Sequence, residues 1–126
     1  MDAFSIGEAA ERLALSPHTL RYYERAGLLD MVARNSAGRR VYTDADLHWI
    51  SLLMCLRSSG MPIANMKKFS NLVRAGLSNV PDRIALLEQH RAKVVADMAA
   101  LQSALTIIDG KLQRYRGISN ENQIAR

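Results

Sequence analysis

The sequence is poor in the residues that build disulfides, metal sites and membrane spans. It has one cysteine and three histidines among 126 residues. A single cysteine cannot close a disulfide within the chain, and one thiol with three scattered histidines does not make a thiolate zinc site. No uninterrupted apolar run approaches the roughly 20 residues of a membrane span. We therefore expect no metal, no cofactor and no contact with a membrane.

A secretory leader is also lacking. The N-terminus, Met-Asp-Ala-Phe-Ser, has neither a basic region nor an apolar stretch of the kind that signal peptides carry. Catalytic constellations are missing too, since no acid pair, nucleophile–base pair or phosphate-binding loop stands at a useful spacing. The sequence predicts a cytoplasmic protein that is not an enzyme.

Acidic residues are fewer than basic ones, 12 against 17, which gives a net charge of +5. An excess of base is compatible with nucleic acid or with an anionic surface. Its distribution is more informative. The stretch from Met31 to Thr43 holds three arginines and no acid, whereas the last fifty residues mix both signs. This stretch is the first candidate for an anion-binding surface.

Two short helices with marked ends are predicted in the first 29 residues. Ser5 and Glu8 fit a capping box that opens the first helix. Ser16 can cap the second, with Pro17 at its first position and Gly27 just past its end. A turn of about four residues joins them. This arrangement predicts a helix-turn-helix, whose second helix enters the major groove of DNA.

Donor side chains crowd the second helix and the segment after it. The helix offers histidine, threonine, arginine and tyrosine, which suit phosphates and base edges. In the following segment, Asn-Ser-Ala-Gly is turn chemistry between short β-compatible pieces, which predicts a small β-hairpin wing. The wing residues with the right chemistry to grip a phosphate backbone are Arg34, Asn35, Arg39, Arg40 and Tyr42. The alternatives are a solvated amphipathic helix and a solvated loop.

Three further helices are predicted. Thr43 caps a helix from Asp44 to about Ser58, apolar on several sides, which indicates burial on several sides. An amphipathic helix follows Pro62 and presents Lys67, either to DNA or to solvent. The last helix repeats apolar residues with 3-4 spacing over about four and a half heptads, which predicts a coiled coil with a second copy of the chain. Its seam consists of Ile84, Leu87, Arg91, Val94, Met98, Leu101, Leu105, Ile108, Leu112 and Tyr115.

The order of these parts resembles the MerR family of transcription regulators over about residues 4 to 75. The matching segments are Ser-Ile-Gly-Glu-Ala-Ala from Ser5, Leu-Ser-Pro-His-Thr-Leu-Arg-Tyr-Tyr-Glu-Arg-Ala-Gly-Leu-Leu from Leu15, Gly-Arg-Arg-Val-Tyr-Thr-Asp-Ala-Asp-Leu from Gly38 and Ser-Gly-Met-Pro-Ile from Ser59. One departure is Ala14, in the turn where many members have glycine. If that position needs a positive φ, alanine costs about 1 kcal/mol there.

The resemblance implies an all-α fold with a β-hairpin wing, a winged helix-turn-helix domain (1–76), a long antiparallel dimerisation helix (77–117) and a flexible tail (118–126). It implies a homodimer on a near-palindromic operator in double-stranded promoter DNA, which is twisted and bent so that RNA polymerase can use it. The DNA-contacting set becomes Ser16, His18, Thr19, Arg21, Tyr22, Arg34, Asn35, Arg39, Arg40, Tyr42 and Lys67.

The signal is less well defined by the sequence. The dimerisation helix has no cysteine, which disfavours metal sensing. The segment around Cys55 resembles the AdhR/NmlR branch, in which a single cysteine in this helix is implicated in responses to aldehydes and other electrophiles. Cys55 shares a helix face with His48, Ser51 and Ser59, and a thiolate is a nucleophile. The alternative is an inert core cysteine.

Two other functions stay open at this point. One is a repressor that occludes its operator without an effector. The other is a coiled-coil interaction adaptor whose basic segment binds an acidic partner.

Overall fold

The computed structural model describes residues 3–124, with side chains described to residue 122. Five helices follow one another: α1 (Ile6–Leu13), α2 (Pro17–Arg25), α3 (Asp44–Ser58), α4 (Ile63–Arg74) and α5 (Val80–Ile124), with a short 3-10 turn at Leu77–Asn79. The chain divides into two compact units, Met1–Glu88 and Gln89–Arg126. The predicted tail, 118–126, begins inside α5, and residues 125 and 126 lie outside the described part.

The predicted helix caps are confirmed. At α1, the Glu8 amide donates to Ser5 Oγ (3.2 Å) and the Ser5 amide donates to Glu8 Oε1 (3.0 Å). Hydrogen bonds that Ser5 donates to the Glu8 carboxylate, first from its amide and then from its hydroxyl, lower the pKa of Glu8. The carboxylate half of the capping box is therefore complete at neutral pH and is lost as the pH falls through that lowered value. At α2, the Thr19 amide donates to Ser16 Oγ (3.1 Å). The chain therefore starts both helices of the helix-turn-helix with local hydrogen bonds.

The first unit is built on an apolar core that α2 enters with two side chains. Leu20 and Tyr23 are both buried, as their spacing predicts. Side chains from α1, α3 and α4 and from the linking segments complete the core: Phe4, Ala9, Ala10, Leu28, Leu29, Val32, Tyr42, Ile50, Leu53, Leu56, Met61, Met66 and Phe69. Because a nine-residue helix is too short to be stable alone, this packing holds α2 in place.

The predicted β-hairpin wing is not supported as a pair of strands. Residues 33–42, which we call the arginine loop, contain no strand; the described residues form two isolated antiparallel bridges, Arg34 with Arg40 and Phe4 with Tyr42. The reason lies at Asn35, whose Oδ1 accepts from the amides of Ala37 and Arg39, both at 3.0 Å. The Arg39 amide is thereby diverted from the Asn35 carbonyl, and the backbone pairing across the loop stays short: the Asn35 amide donates to the Arg39 carbonyl and the Val41 amide donates to the Ala33 carbonyl, both at 2.9 Å.

Ala14, at the end of α1, adopts the left-handed conformation (φ 55°, ψ 40°). We expect Ala14→Gly to raise the free energy of unfolding by about 0.5–1 kcal/mol, because glycine carries no Cβ to clash in this conformation. Urea denaturation would measure the change. Ala26→Gly is the matched control, since Ala26 ends α2 in the right-handed region (φ −76°) and should lose stability. If both substitutions destabilise equally, the turn is not strained.

Candidate nucleic-acid interface

The outer face of α2 presents three of the predicted DNA contacts. His18, Arg21 and Tyr22 are exposed, and the Arg21 guanidinium makes no hydrogen bond within the described part of the chain. Ser16 and Thr19 differ, because their hydroxyl oxygens lie 3.0 Å apart and Ser16 also caps the helix. The side chains of His18, Arg21 and Tyr22 are therefore accessible to a ligand, whereas Ser16 and Thr19 help to define where α2 begins.

Glu24 joins α2 to the arginine loop. Its Oε1 accepts from Arg34 Nη2 (2.7 Å) and from Arg40 Nε (3.0 Å). The Arg40 side chain is only 14% exposed, and its Nη1 donates to the carbonyl of Val32 (2.5 Å). Arg40 therefore stabilises the fold through these internal hydrogen bonds and is not a free surface cation. Sequence reasoning missed Glu24, although it ends the Leu-Arg-Tyr-Tyr-Glu segment one turn after Leu20.

The arginine loop is held in one shape by its own side chains. Arg34 Nη1 donates to the carbonyl of Gly38 (2.7 Å), and Gly38 adopts a positive φ of 79° that favours glycine. With Asn35 bonded to the backbone as described above, two of the predicted contacts, Arg34 and Asn35, shape the loop. Arg39 is exposed, and its guanidinium has no hydrogen bond within the described residues. Arg39 is therefore the loop arginine that is free to bind an anion.

A cleft of about 700 Å³ lies between α2, the arginine loop and the first turn of α1. Four arginines and one acid line it: Arg21, Arg34, Arg39, Arg40 and Glu24. Its other wall includes Ser5, Ile6 and Gly7, at the N-terminus of α1, where the helix dipole favours negative charge. The net charge and the size of the cleft suit a phosphate backbone, which meets arginine side chains and helix N-termini in most DNA complexes.

Tyr42 lies apart from this surface group. Its side chain is fully buried, and its hydroxyl has no hydrogen-bond partner among the described residues. Burial, reinforced by the nearby charge of Glu24, raises the pKa of Tyr42. The prediction that Tyr42 grips a phosphate is therefore not supported by its position, because a buried ring packs the core and cannot reach a ligand without local unfolding.

We expect Tyr42→Phe to leave DNA affinity unchanged within about twofold and to leave stability unchanged or raise it by about 1 kcal/mol, since it removes a buried hydroxyl. Fluorescence anisotropy and urea denaturation would measure the two quantities. Tyr22→Phe is the control: Tyr22 is exposed on α2, so its hydroxyl affects affinity and not stability. Weaker binding by Tyr42→Phe than by Tyr22→Phe would contradict this assignment.

Two other predicted residues are exposed away from these contacts. Lys67 lies on the surface of α4, where it stays a predicted DNA contact. Cys55 is exposed on α3, as are His48 and Ser51 on the same helix, and its carbonyl accepts from Ser59 Oγ (2.7 Å). The thiol is therefore accessible and does not belong to the core of its unit.

An apolar stripe runs along α5 and is exposed in the single chain. The exposed seam residues are Ile84, Leu87, Met98, Leu101, Leu105, Ile108, Leu112 and Tyr115. Two further exposed residues, Leu77 (79%) and Val80, continue the same spacing toward the N-terminus. Sequence reasoning missed both, although they follow from the 3-4 repeat counted backward from Ile84. Contiguous exposed apolar surface of this kind marks an interaction site.

Within residues 3–124, no group of three histidine, cysteine or acidic side chains is placed to hold a metal ion. None of the described helices combines the length and the apolar character needed to cross a bilayer.

Comparison with known proteins agrees over most of the chain. The family described as MerR HTH family regulatory protein matches residues 4–72. An HTH-type transcriptional regulator of Haemophilus influenzae is 35% identical over 113 residues, covering 90% of this chain and 84% of that protein. The transcriptional regulator AdhR of Bacillus subtilis is 33% identical over 91 residues, covering 72% of this chain and 65% of AdhR. The crystal structure of HiNmlR, described as a MerR family regulator lacking the sensor domain and bound to promoter DNA, superposes with a TM-score of 0.85 at 35% identity over 91% of each chain.

Proposed function

Because the chain belongs to the MerR family of DNA-binding transcription regulators, we propose that it acts as a homodimer on a near-palindromic promoter operator and alters the twist of that DNA in response to a signal. The observation that carries the proposal is the arginine cleft beside the exposed face of α2. In this assignment α2 lies in the major groove, with His18, Arg21 and Tyr22 toward the bases and their flanking phosphates. The family and its relatives are regulators, not enzymes.

The arginine loop supplies the sequence-independent part of binding. Arg39 contacts a phosphate directly, and Arg34 faces the same cleft while Glu24 and Arg40 keep the loop beside α2. A contact with phosphate releases counterions and makes affinity fall with salt, whereas a contact with a base edge sets sequence preference. The two kinds of residue are therefore distinguishable in one titration series.

The test begins with selection of the preferred site from random duplexes of about 40 base pairs, long enough for two half-sites. Affinity is then measured against salt for the wild type, Arg39→Ala and Arg21→Ala. We expect Arg39→Ala to reduce the slope of log affinity against log salt by about 1 and to weaken all sequences alike. Arg21→Ala should cost about 5- to 100-fold on the selected site and relax its sequence preference.

Arg114→Ala is the matched control, since Arg114 is exposed on α5 and lies outside the cleft. If the wild type selects no site, or if Arg39→Ala changes the slope no more than Arg114→Ala, the proposed interface is overturned. The interaction-adaptor alternative gains support only in the first case, since an adaptor has no preferred DNA sequence.

Dimerisation through α5 is the second part of the proposal. The exposed stripe from Leu77 to Tyr115 has apolar residues for nearly all its length, and only Arg91 interrupts it. Because this stripe is exposed in the single chain, its burial needs an apolar partner surface of similar length. The same stripe on a second copy of the chain can pack against it. An antiparallel pairing of the two α5 helices places one helix-turn-helix at each end of the dimer.

The signal is assigned to Cys55. Its exposure on α3 makes the thiol accessible to an electrophile or an oxidant. The sequence is also similar to that of the regulator AdhR. With an aldehyde, the thiolate sulfur adds to the carbonyl carbon, the π bond of the C=O group breaks, and its oxygen takes up a proton from water; the resulting hemithioacetal adds bulk on α3 next to His48 and Ser51. This change alters the packing of the dimer and therefore the twist of the bound operator.

We expect an aldehyde to switch run-off transcription from the protein's own promoter with the wild type but not with Cys55→Ser. Ser51→Ala, one turn earlier on α3, is the control that keeps the thiol and should still respond. Equal responses of wild type and Cys55→Ser, or no response of either, would remove Cys55 from the mechanism. DNA binding without any response would favour the operator-occluding repressor.

A further inference from the structure

The link between α4 and α5 is a short junction that the DNA-reading surface does not use. Helix α4 ends at Arg74 and α5 begins at Val80. Gly76 between them has φ 98° and ψ −168°, a conformation open essentially to glycine alone. A junction with such a residue would be a free hinge unless other groups fixed it.

Side chains from the 3-10 turn and from the first turn of α5 do fix it. Asn79 Nδ2 donates to the carbonyl of Leu72 (2.8 Å), and Arg83 Nη2 donates to the same carbonyl (3.3 Å) and to the carbonyl of Gly76. Arg83 Nε also donates to Asn79 Oδ1 (3.0 Å). We call Asn79 and Arg83, with the two carbonyls they hold, the junction clamp.

The junction clamp occupies acceptors that would otherwise be unsatisfied. The last carbonyls of a helix have no partner within it, and a cation near them is favoured by the helix dipole. Arg74, the last residue of α4, donates from Nη1 to Asp30 Oδ2 (2.8 Å), just after the buried Leu28 and Leu29. The end of α4 is therefore tied both forward to α5 and back to the segment that follows α2.

We propose that the junction clamp determines which half-site spacing the dimer prefers, with Arg83 as its main positioning residue. This inference rests on the proposed function, because it requires a dimer that holds two copies of α2. The chain path from the part of the stripe within α5 to α2 passes through residues 75–79. With a free hinge there, each α2 would adopt several positions and operators of different spacing would bind almost equally.

The geometry of DNA makes spacing a sensitive reporter. Adding one base pair moves a half-site by about 3.4 Å and rotates it by about 34°. A clamped dimer must break hydrogen bonds to follow that change, whereas a dimer with a free junction follows it at small cost. Spacing preference therefore responds to the junction even though no junction residue touches DNA.

The experiment compares wild type with Arg83→Gln on the selected site and on versions with one base pair added or removed at the centre. We expect the wild type to bind the altered sites about tenfold more weakly, a factor that corresponds to loss of about one charged hydrogen bond. Arg83→Gln should reduce this preference to about twofold, while its affinity for a duplex with a single half-site stays at the wild-type value.

Two further variants keep the test decisive. Asn79→Ala removes one of the two donors to the Leu72 carbonyl, and we expect it also to reduce the spacing preference. It is used in place of Arg83→Gln if thermal unfolding shows that Arg83→Gln does not fold. Arg114→Gln, on the exposed surface of α5, should keep the wild-type preference.

A folded, dimeric Arg83→Gln that retains the wild-type spacing ratio overturns the proposal, and so does an equal loss of affinity at every spacing. A wild type that binds its selected site but shows no spacing preference also overturns it. A wild type that selects no DNA site at all overturns the proposed function itself, so the two failures are distinguishable.

Discussion

Leu101→Glu is expected to convert the proposed dimer to a monomer and to weaken operator binding by about 10²- to 10⁴-fold, because two linked half-site contacts become single ones. Leu101 lies near the middle of the α5 stripe and is 67% exposed in the single chain. In a dimer it is covered on both sides, so a carboxylate there is taken out of water without a partner. Sedimentation velocity would measure the oligomeric state, and anisotropy the affinity.

Ile107→Glu provides an unusually close control. Ile107 is 69% exposed on the same helix, but it stands on the side of α5 away from the 3-4 stripe. The same charge is added at the same exposure, so both variants have equal effects on the isolated helix. We expect Ile107→Glu to stay dimeric. If it dissociates as readily as Leu101→Glu, the dimer uses another face of α5 than the one assigned here.

Glu24→Ala is expected to lower the free energy of unfolding by about 2–3 kcal/mol and to reduce the ratio of specific to non-specific DNA affinity about tenfold. The stability loss follows because one carboxylate oxygen holds two arginines, and hydrogen bonds to charged groups contribute about 1.5–3 kcal/mol each before discounting for exposure. Arg40 then keeps its contact with the Val32 carbonyl, but its poorly exposed charge has lost its counter-ion.

The effect on DNA binding has two opposing parts. Removing a negative charge from the cleft strengthens attraction to any phosphate backbone. Releasing Arg34 and Arg40 from α2 lets the arginine loop adopt several shapes, which must be ordered again on binding. The first part raises non-specific affinity and the second lowers specific affinity, so their ratio must fall. Glu24→Gln keeps an acceptor oxygen and should retain more of the stability than Glu24→Ala, which separates hydrogen bonding from charge.

An unchanged specificity ratio in Glu24→Ala, at wild-type stability, would show that the arginine loop holds its position without Glu24. The burial of Tyr42, the last residue of the arginine loop, would then be the main interaction that holds the loop in position. Hydrogen exchange at the amides of Ala37 and Arg39, which bond to Asn35 Oδ1, would report directly on whether the loop has loosened.

Several features were predictable because they depend on residues close in sequence. The caps at Ser5 and Ser16 act over three residues, and the burial of Leu20 and Tyr23 follows from helical spacing. The α5 stripe is a repeat that can be counted along the chain. In each case the physical cause lies within one or two helical turns, so the sequence carries the whole of the information.

The features that only the tertiary structure decided depend on residues far apart in sequence. Glu24 meets Arg40 across 16 positions, and Arg74 meets Asp30 across 44. Turn chemistry with flanking β-compatible residues predicted a hairpin of two strands, but the pairing between the two sides of the loop is limited to an isolated bridge of Arg34 with Arg40. Tyr42 has a polar hydroxyl that suits DNA, yet its ring fills the core.

By itself, therefore, the sequence determined that this chain carries a helix-turn-helix, a basic segment after it and a long helix with an exposed apolar stripe, because these are properties of local spacing. The tertiary structure decided which basic side chains are free. Arg39 is available, since its side chain is exposed and makes no hydrogen bond among the described residues, whereas Arg40 is closed in by a carboxylate and a carbonyl from other parts of the fold. Charge is encoded residue by residue, but its availability depends on which long-range partners the fold brings within hydrogen-bond distance.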